Sequence, residues 1–301
     1  MYNMKMVIMM AWNTTNKKED RISYEERREG IRQQRLARQR RDNEFLLCAV
    51  LGHPKTTKTG IVLDCRSEQE KKDGYTVRVL DFDDGALATW DSAHDRDEGI
   101  DIYVPNVLRT DGTYDWNETF ENALAWLDET KEEIEKGKVK AVAIDGMDKV
   151  YDGSGDIMRE ALVNMNQDRQ DIIRDTINLT VKPFQWKVRN DIYKRIQDTF
   201  MNLDTHRFII THLKPIYGSA NLSEGPTHWE ADWHKNTPQR MLQTVWCEKV
   251  TLGNDVSYKA ILRDCKTNPS AVGKTWETFK VNSGEKENEW FGFPPFVEGR
   301  F

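Results

Sequence analysis

Seven apolar residues in a row, Phe45-Leu46-Leu47-Cys48-Ala49-Val50-Leu51, run straight into Gly52-His53-Pro54-Lys55-Thr56-Thr57-Lys58-Thr59-Gly60 and then Ile61-Val62-Leu63. An unbroken apolar run of this length suits a strand covered on both faces, as in parallel sheets. A strand, a glycine turn and then a lysine followed by a hydroxyl form the pattern of a phosphate loop. In such a loop backbone N–H groups wrap the β-phosphate, the lysine bridges β and γ oxygens, and the hydroxyl holds Mg²⁺. Gly52 to Thr59 match in length, in the first glycine, in Lys58 and in Thr59. They depart at Thr57, where the pattern has a second glycine. Threonine lacks glycine's freedom in φ and its close backbone approach, a departure expected to weaken the grip on phosphate. The alternative is a plain solvated loop, in which Lys55 and Thr56 have no special task.

Further apolar runs at Thr76 to Phe82, Val139 to Ile144 and Arg207 to Thr211, with a shorter one at Ile102 to Val104, read as strands. Between them lie helical patterns. Phe120, Leu124, Leu127 and Ile134 form one stripe, and Val188, Ile192, Ile196 and Phe200 step by four. Alternating strands and helices predict an α/β fold: a mostly parallel sheet flanked by helices. Val245 to Leu252 and Val256 to Arg263 flank Gly253-Asn254-Asp255, which predicts an antiparallel hairpin added at the sheet edge. Val139 to Ile144 ends in Asp145. A strand-end aspartate beside the loop hydroxyl is a Mg²⁺ partner in phosphate-loop proteins, although many such aspartates only cap a helix.

Composition limits the alternatives. The 301 residues are 38% hydrophobic and 31% charged, with a net charge of −6. That is a globular balance, and it argues against a histone-like basic coat. Cys48, Cys65, Cys247 and Cys265 are far apart, with no metal-type spacing and no disulfide framework. No apolar run reaches the ~18 residues of a membrane helix, so a cytoplasmic protein without a membrane partner is expected. Residues 17–43 are densely charged, with seven arginines from Arg27 to Arg41. They read as a solvated arm or as an arm contacting nucleic acid. The expected organisation is an arm at 1–43, a nucleotide-binding domain at 44–270 and an aromatic-rich tail at 271–301.

With the loop and Asp145 in this order, residues 45 to 268 resemble the RecA-like P-loop ATPases, and within them the small ones common in phage genomes. The resemblance implies an ATP- and Mg²⁺-binding ATPase. Val79-Leu80-Asp81-Phe82-Asp83 resembles the strand whose end acid orients the attacking water, which puts Asp83 in that role with Asp84 as the neighbouring alternative. His206 to His212 resembles the strand ending in a γ-phosphate sensor, here His212; the other reading is a surface histidine. Arg263 and Lys266 match the basic strand end that reaches the adjacent subunit's γ-phosphate, implying a homo-oligomeric ring or filament. The segment Leu213 to Pro238 stands where recombinases meet single-stranded DNA. Lys214, Tyr217, Trp229, Trp233 and Lys235 supply the aromatic and basic residues for that contact. A lid or a subunit contact has the same look. The implied function is a DNA-binding ATPase of phage recombination, repair or replication. The alternative is a nucleotide-binding assembly or regulatory module with little hydrolysis, and a small-molecule kinase ranks third.

Overall fold

The computed structural model describes residues 23–165, 185–218, 225–252, 255–281 and 288–298. Contacts divide the chain into two units, residues 1–43 and 44–301. The first contributes one helix, α1 (Tyr24–Glu44), begun by a Ser23–Glu26 capping box in which each residue's backbone N–H donates to the other's side chain. Its side chains from Tyr24 to Arg40 are exposed.

In the second unit the described residues form a ten-stranded sheet. The strands are β1 (Leu47–Gly52), β2 (Thr76–Asp81), β3 (Ile100–Tyr103), β4 (Val139–Asp145), β5 (His206–Ile216), β6 (His228–Ala231), β7 (Gln243–Leu252), β8 (Asp255–Cys265), β9 (Thr275–Val281) and β10 (Glu289–Trp290). Along the sheet the order is β10-β9-β8-β7-β1-β5-β4-β2-β3, with β6 paired to β5. From β7 to β3 every pairing is parallel, and from β7 to β10 every pairing is antiparallel. The expected mostly parallel sheet flanked by helices, with antiparallel strands added at one side, is what forms.

Alternation along β1 shows why its run is apolar throughout. Leu47, Ala49 and Leu51 enter one core, which also holds Phe120, Leu127, Ile196 and Phe200. Leu46, Cys48 and Val50 enter the other, with Ile61, Val62 and Leu63. A strand covered on both faces has no side left for polar residues. The first core is closed by α2 (Trp116–Glu135), α3 (Met147–Met165) and α4 (Gln185–Met201), which carry the two predicted stripes save for Val188, which is exposed.

The expected hairpin of β7 and β8 joins the parallel sheet at β1, and β9 and β10 extend the antiparallel side beyond β8. The boundary placed at residue 270 therefore falls inside a continuous antiparallel layer, whose aromatic residues pack along the sheet. Ahead of β7 the chain makes one 3₁₀ turn, Pro238–Arg240, before Gln243 pairs with β1. Finally, Leu213 to Pro238 is not one long loop: β5 runs on to Ile216 and β6 folds back on it. Residues 219–224 of that segment, 166–184 of the stretch after Asp145, and the turn at 253–254 lie outside the described residues.

Candidate functional site

The parallel strands β1, β5, β4 and β2 end side by side, with Gly52 level with His212, Asp145 with Ile210, and Asp81 with Asp145. β1 is a switch point, because the chain leaves it toward β5 on one side and returns as β7 on the other. Ligands in α/β sheets bind outside the carboxyl ends of strands at such points. A cleft of about 1040 Å³ lies there, lined by Lys55 to Gly60, Asp83, Asp145 and His212.

The loop is built by close approach. A Cβ on Gly52 would lie 2.5 Å from both the Cys247 carbonyl oxygen and Thr56 Oγ1, so only glycine lets β1 turn there. Lys55 and Thr57 both adopt left-handed φ, 62° and 63°. Alternation of this kind turns successive N–H groups to one side and makes an anion-binding concavity. Thr57 thus takes up the conformation that the missing glycine would have supplied. Thr56 Oγ1 and Lys58 Nζ both donate to the His53 carbonyl, at 2.7 and 2.9 Å, cross-bracing the turn. Burial holds the Lys58 ammonium below its usual pKa, and Asp145, Asp83 and Asp148 pull the other way.

Thr59 Oγ1 donates to Asp145 Oδ2 at 2.5 Å. The Asp145 carboxyl is pushed up to about 7, first by burial, and Asp81 and Asp83 add to the rise against Thr59 and Lys58. A buried carboxylate short of compensating charge, next to a hydroxyl and facing an open cleft, has the donor chemistry for a hard divalent cation. No cluster of three or more His, Cys, Asp or Glu residues that could hold a metal occurs among the described residues. Thr59 and Asp145 are the residues that could hold such a cation.

Opposite stands a trio. His212 Nδ1 lies 3.2 Å from Asp148 Oδ2, and its Nε2 lies 3.6 Å from Asp83 Oδ2. Thr211 Oγ1 donates to the other Asp148 oxygen at 3.1 Å. Burial raises the Asp148 pKa, but the bonds and charge from His212 outweigh it and hold the carboxylate below its usual range. Asp81, the residue before this group, is buried and accepts from the N–H groups of Asp83 and Ala86. It shapes the turn that presents Asp83, while Asp84 takes φ 57° and does not line the cleft.

No protein-family model matches the sequence, and no curated protein matches it. Among solved structures, the chain is similar to a KaiC-like protein of Pyrococcus horikoshii OT3. The identity is 9%, with a TM-score of 0.41 over 81% of this chain and 89% of that one.

Of the residues picked from sequence, Lys58, Thr59, Asp83, Asp145 and His212 converge on the cleft. Pro54 is exposed beside it, and the His53 ring packs edge-on against Trp229 at 4.4 Å. Arg263 and Lys266 lie elsewhere. Gln243 pairs with both Cys48 and Cys265, so Lys266 sits near the amino end of β1, away from the loop, where it donates to the Gln239 carbonyl. Arg263 falls at the bulge opposite Thr244 and Val245, level with the middle of β1, and lies over Trp246 at 5.4 Å without lining the cleft. Of the DNA-contact candidates, Trp233 is buried in the core and Lys214 is paired with Asp232 at 2.9 Å. Tyr217, Trp229 and Lys235 are exposed.

Residues in the cleft and behind its His212 were missed. Asp148 is three residues after Asp145, and that short spacing was its only sequence signal. Tyr258, Phe279, Asn288 and Trp290 form the far wall. Trp290 covers Gly60, where a Cβ would lie 2.9 Å from its ring, and its Nε1 donates to Asp64 at 3.2 Å.

Proposed function

We propose that the cleft binds a nucleoside triphosphate, ATP in the first instance, together with Mg²⁺, and hydrolyses it. The observation that carries this is the convergence of Lys58, the Thr59–Asp145 pair and the Asp83–His212 pair on one cleft at the switch point of a parallel sheet. Lys58 and the loop N–H groups hold the phosphates. Thr59 and Asp145 are the residues that would hold Mg²⁺, whose charge would offset that on the phosphate oxygens. Asp83 accepts a proton from the attacking water and orients it, and His212 carries the position of that carboxylate to Asp148. The aromatic wall of Tyr258 and Phe279 suits the face of a base.

The resemblance adds single-stranded DNA and a ring or filament to this reading. Exposed Tyr217, Trp229 and Lys235 are the groups left for the first. For the second, Arg263 and Lys266 would have to serve a neighbouring copy, since neither lines the cleft of its own chain.

ATP hydrolysis with and without single-stranded DNA, in the native chain and in Lys58→Ala, tests the proposal. Turnover that disappears in the variant supports it, and stimulation by DNA extends it to a DNA-coupled ATPase. Tight, Lys58-dependent binding without turnover favours the regulatory module. Equal, negligible binding by both proteins overturns the nucleotide reading.

A further inference from the structure

We propose that Thr278, on β9, is a positioning residue for the phosphate loop, replacing by a side-chain brace the glycine that Thr57 displaces. This rests on the nucleotide reading and deepens it. Thr57 sits at φ 63° and ψ 11°, a region that β-branched residues rarely occupy. Left-handed residues of this kind persist only where their surroundings over-determine them. Here the surroundings are two hydroxyls. Thr57 Oγ1 lies 2.6 Å from the Thr56 carbonyl, to which it donates, and 2.9 Å from Thr278 Oγ1.

Counting protons orders these bonds. Each hydroxyl has one proton to give. With the Thr57 proton given to the Thr56 carbonyl, the single Thr278 proton is shared between Thr57 Oγ1 at 2.9 Å and the Tyr258 carbonyl at 3.1 Å, a three-centre bond. Thr278 is fully buried, so neither bond competes with bulk water.

The strand is shaped for this contact. Tyr258 pairs with Phe279 and Lys259 with Glu277, which leaves Thr278 as the extra residue of a β-bulge. Bulges re-aim a side chain that regular pleating would send elsewhere. The same bulge places Phe279 in the wall of the cleft, 6.1 Å from Trp290. Strands after residue 270 therefore complete the loop as well as the sheet.

The test is a double-mutant cycle on full-length protein, read as the Kd for a fluorescent ATP analogue with Mg²⁺ and as amide hydrogen exchange over residues 53–60. Thr278→Val is expected to weaken binding by about 3- to 10-fold, the range of one lost hydrogen bond, and to speed exchange in the loop. Thr278→Ser is expected to restore both. In a Thr57→Gly background, where glycine takes the left-handed φ unaided, Thr278→Val is expected to change neither. Equal losses in the native and the Thr57→Gly backgrounds overturn the brace, as does unchanged loop exchange in Thr278→Val. If the native chain binds no nucleotide, the nucleotide reading fails, and loop exchange alone then decides for or against the brace. Thermal melts of each variant report whether the fold is intact.

Discussion

His212 Nδ1 and Asp148 Oδ2, from strand β5 and helix α3, are 3.2 Å apart. An ionised carboxylate can only accept, so the proton of this bond belongs to Nδ1. A neutral His212 then turns a bare Nε2 to the cleft, and it donates to Asp83 or to phosphate only as imidazolium. Asp148 thereby decides what the cleft-facing nitrogen can do. Asp148→Asn removes that constraint, and turnover is expected to fall about 10- to 100-fold, the scale of a misplaced catalytic group. The nucleotide Kd is expected to change little. Steady-state kinetics with a separate binding titration check this, and ¹⁵N shifts of the His212 ring report the tautomer directly.

The aromatic wall distinguishes base from phosphate. Tyr258 and Phe279 have ring centroids 5.8 Å apart and both line the cleft. Loss of one stacking partner removes on the order of 1–3 kcal/mol per base. Phe279→Ala is therefore expected to weaken ATP binding by about tenfold and to leave tripolyphosphate binding alone. Competition titrations with both ligands check it, and an equal loss for both would place the base elsewhere.

Helix α3 carries a packing constraint at Gly153. A Cβ there would lie 2.4 Å from the Trp116 ring, which is held by a 3.1 Å bond from Nε1 to Asp156 and by an edge contact with Phe120. Alanine gains about 1 kcal/mol of helix propensity, but overpacking costs about 1–3 kcal/mol, and a fixed ring puts the cost at the upper end. Gly153→Ala is expected to lower Tm by several degrees. Gly155→Ala, which meets only the Arg189 side chain at 3.3 Å, is the control expected to melt close to the native chain.

Acid is expected to loosen the outer wall of the cleft. Burial holds His94 below its ordinary value of 6.5, against pulls from Asp64 and Asp97, and its ring packs edge-on against Trp290. The folded chain resists protonation there more than the unfolded one. The stabilising contribution is thus complete above the unfolded pKa of about 6.5 and is lost as pH falls through the lower folded value. Thermal melts at pH 7.5 and 5.5 are expected to differ more in the native chain than in His94→Gln. An equal difference in both proteins would assign the acid sensitivity to other groups.

The strand-loop-helix core of this protein is written locally. Phe45 to Val62 declares a buried strand, a glycine turn and a lysine-hydroxyl pair within one short stretch, and Asp145 ends its own apolar run. Period and punctuation suffice for such features because neighbours in sequence remain neighbours in space. Those signals also set the parallel order of layers, since strands alternating with helices have few other ways to bury both faces. What only the tertiary structure decided involves residues far apart in the chain. Thr57 looked like a defect in the loop until β9 brought Thr278 to 2.9 Å from it. Trp233 and Trp229 are equally aromatic on paper, yet one is in the core and the other lies against His53. Lys266 matched a strand-end pattern, but an antiparallel register carried it toward the amino end of β1. Local pattern specifies which element a residue joins, whereas the pairing of elements specifies which end and face it reaches, and the chemistry of a site depends on both.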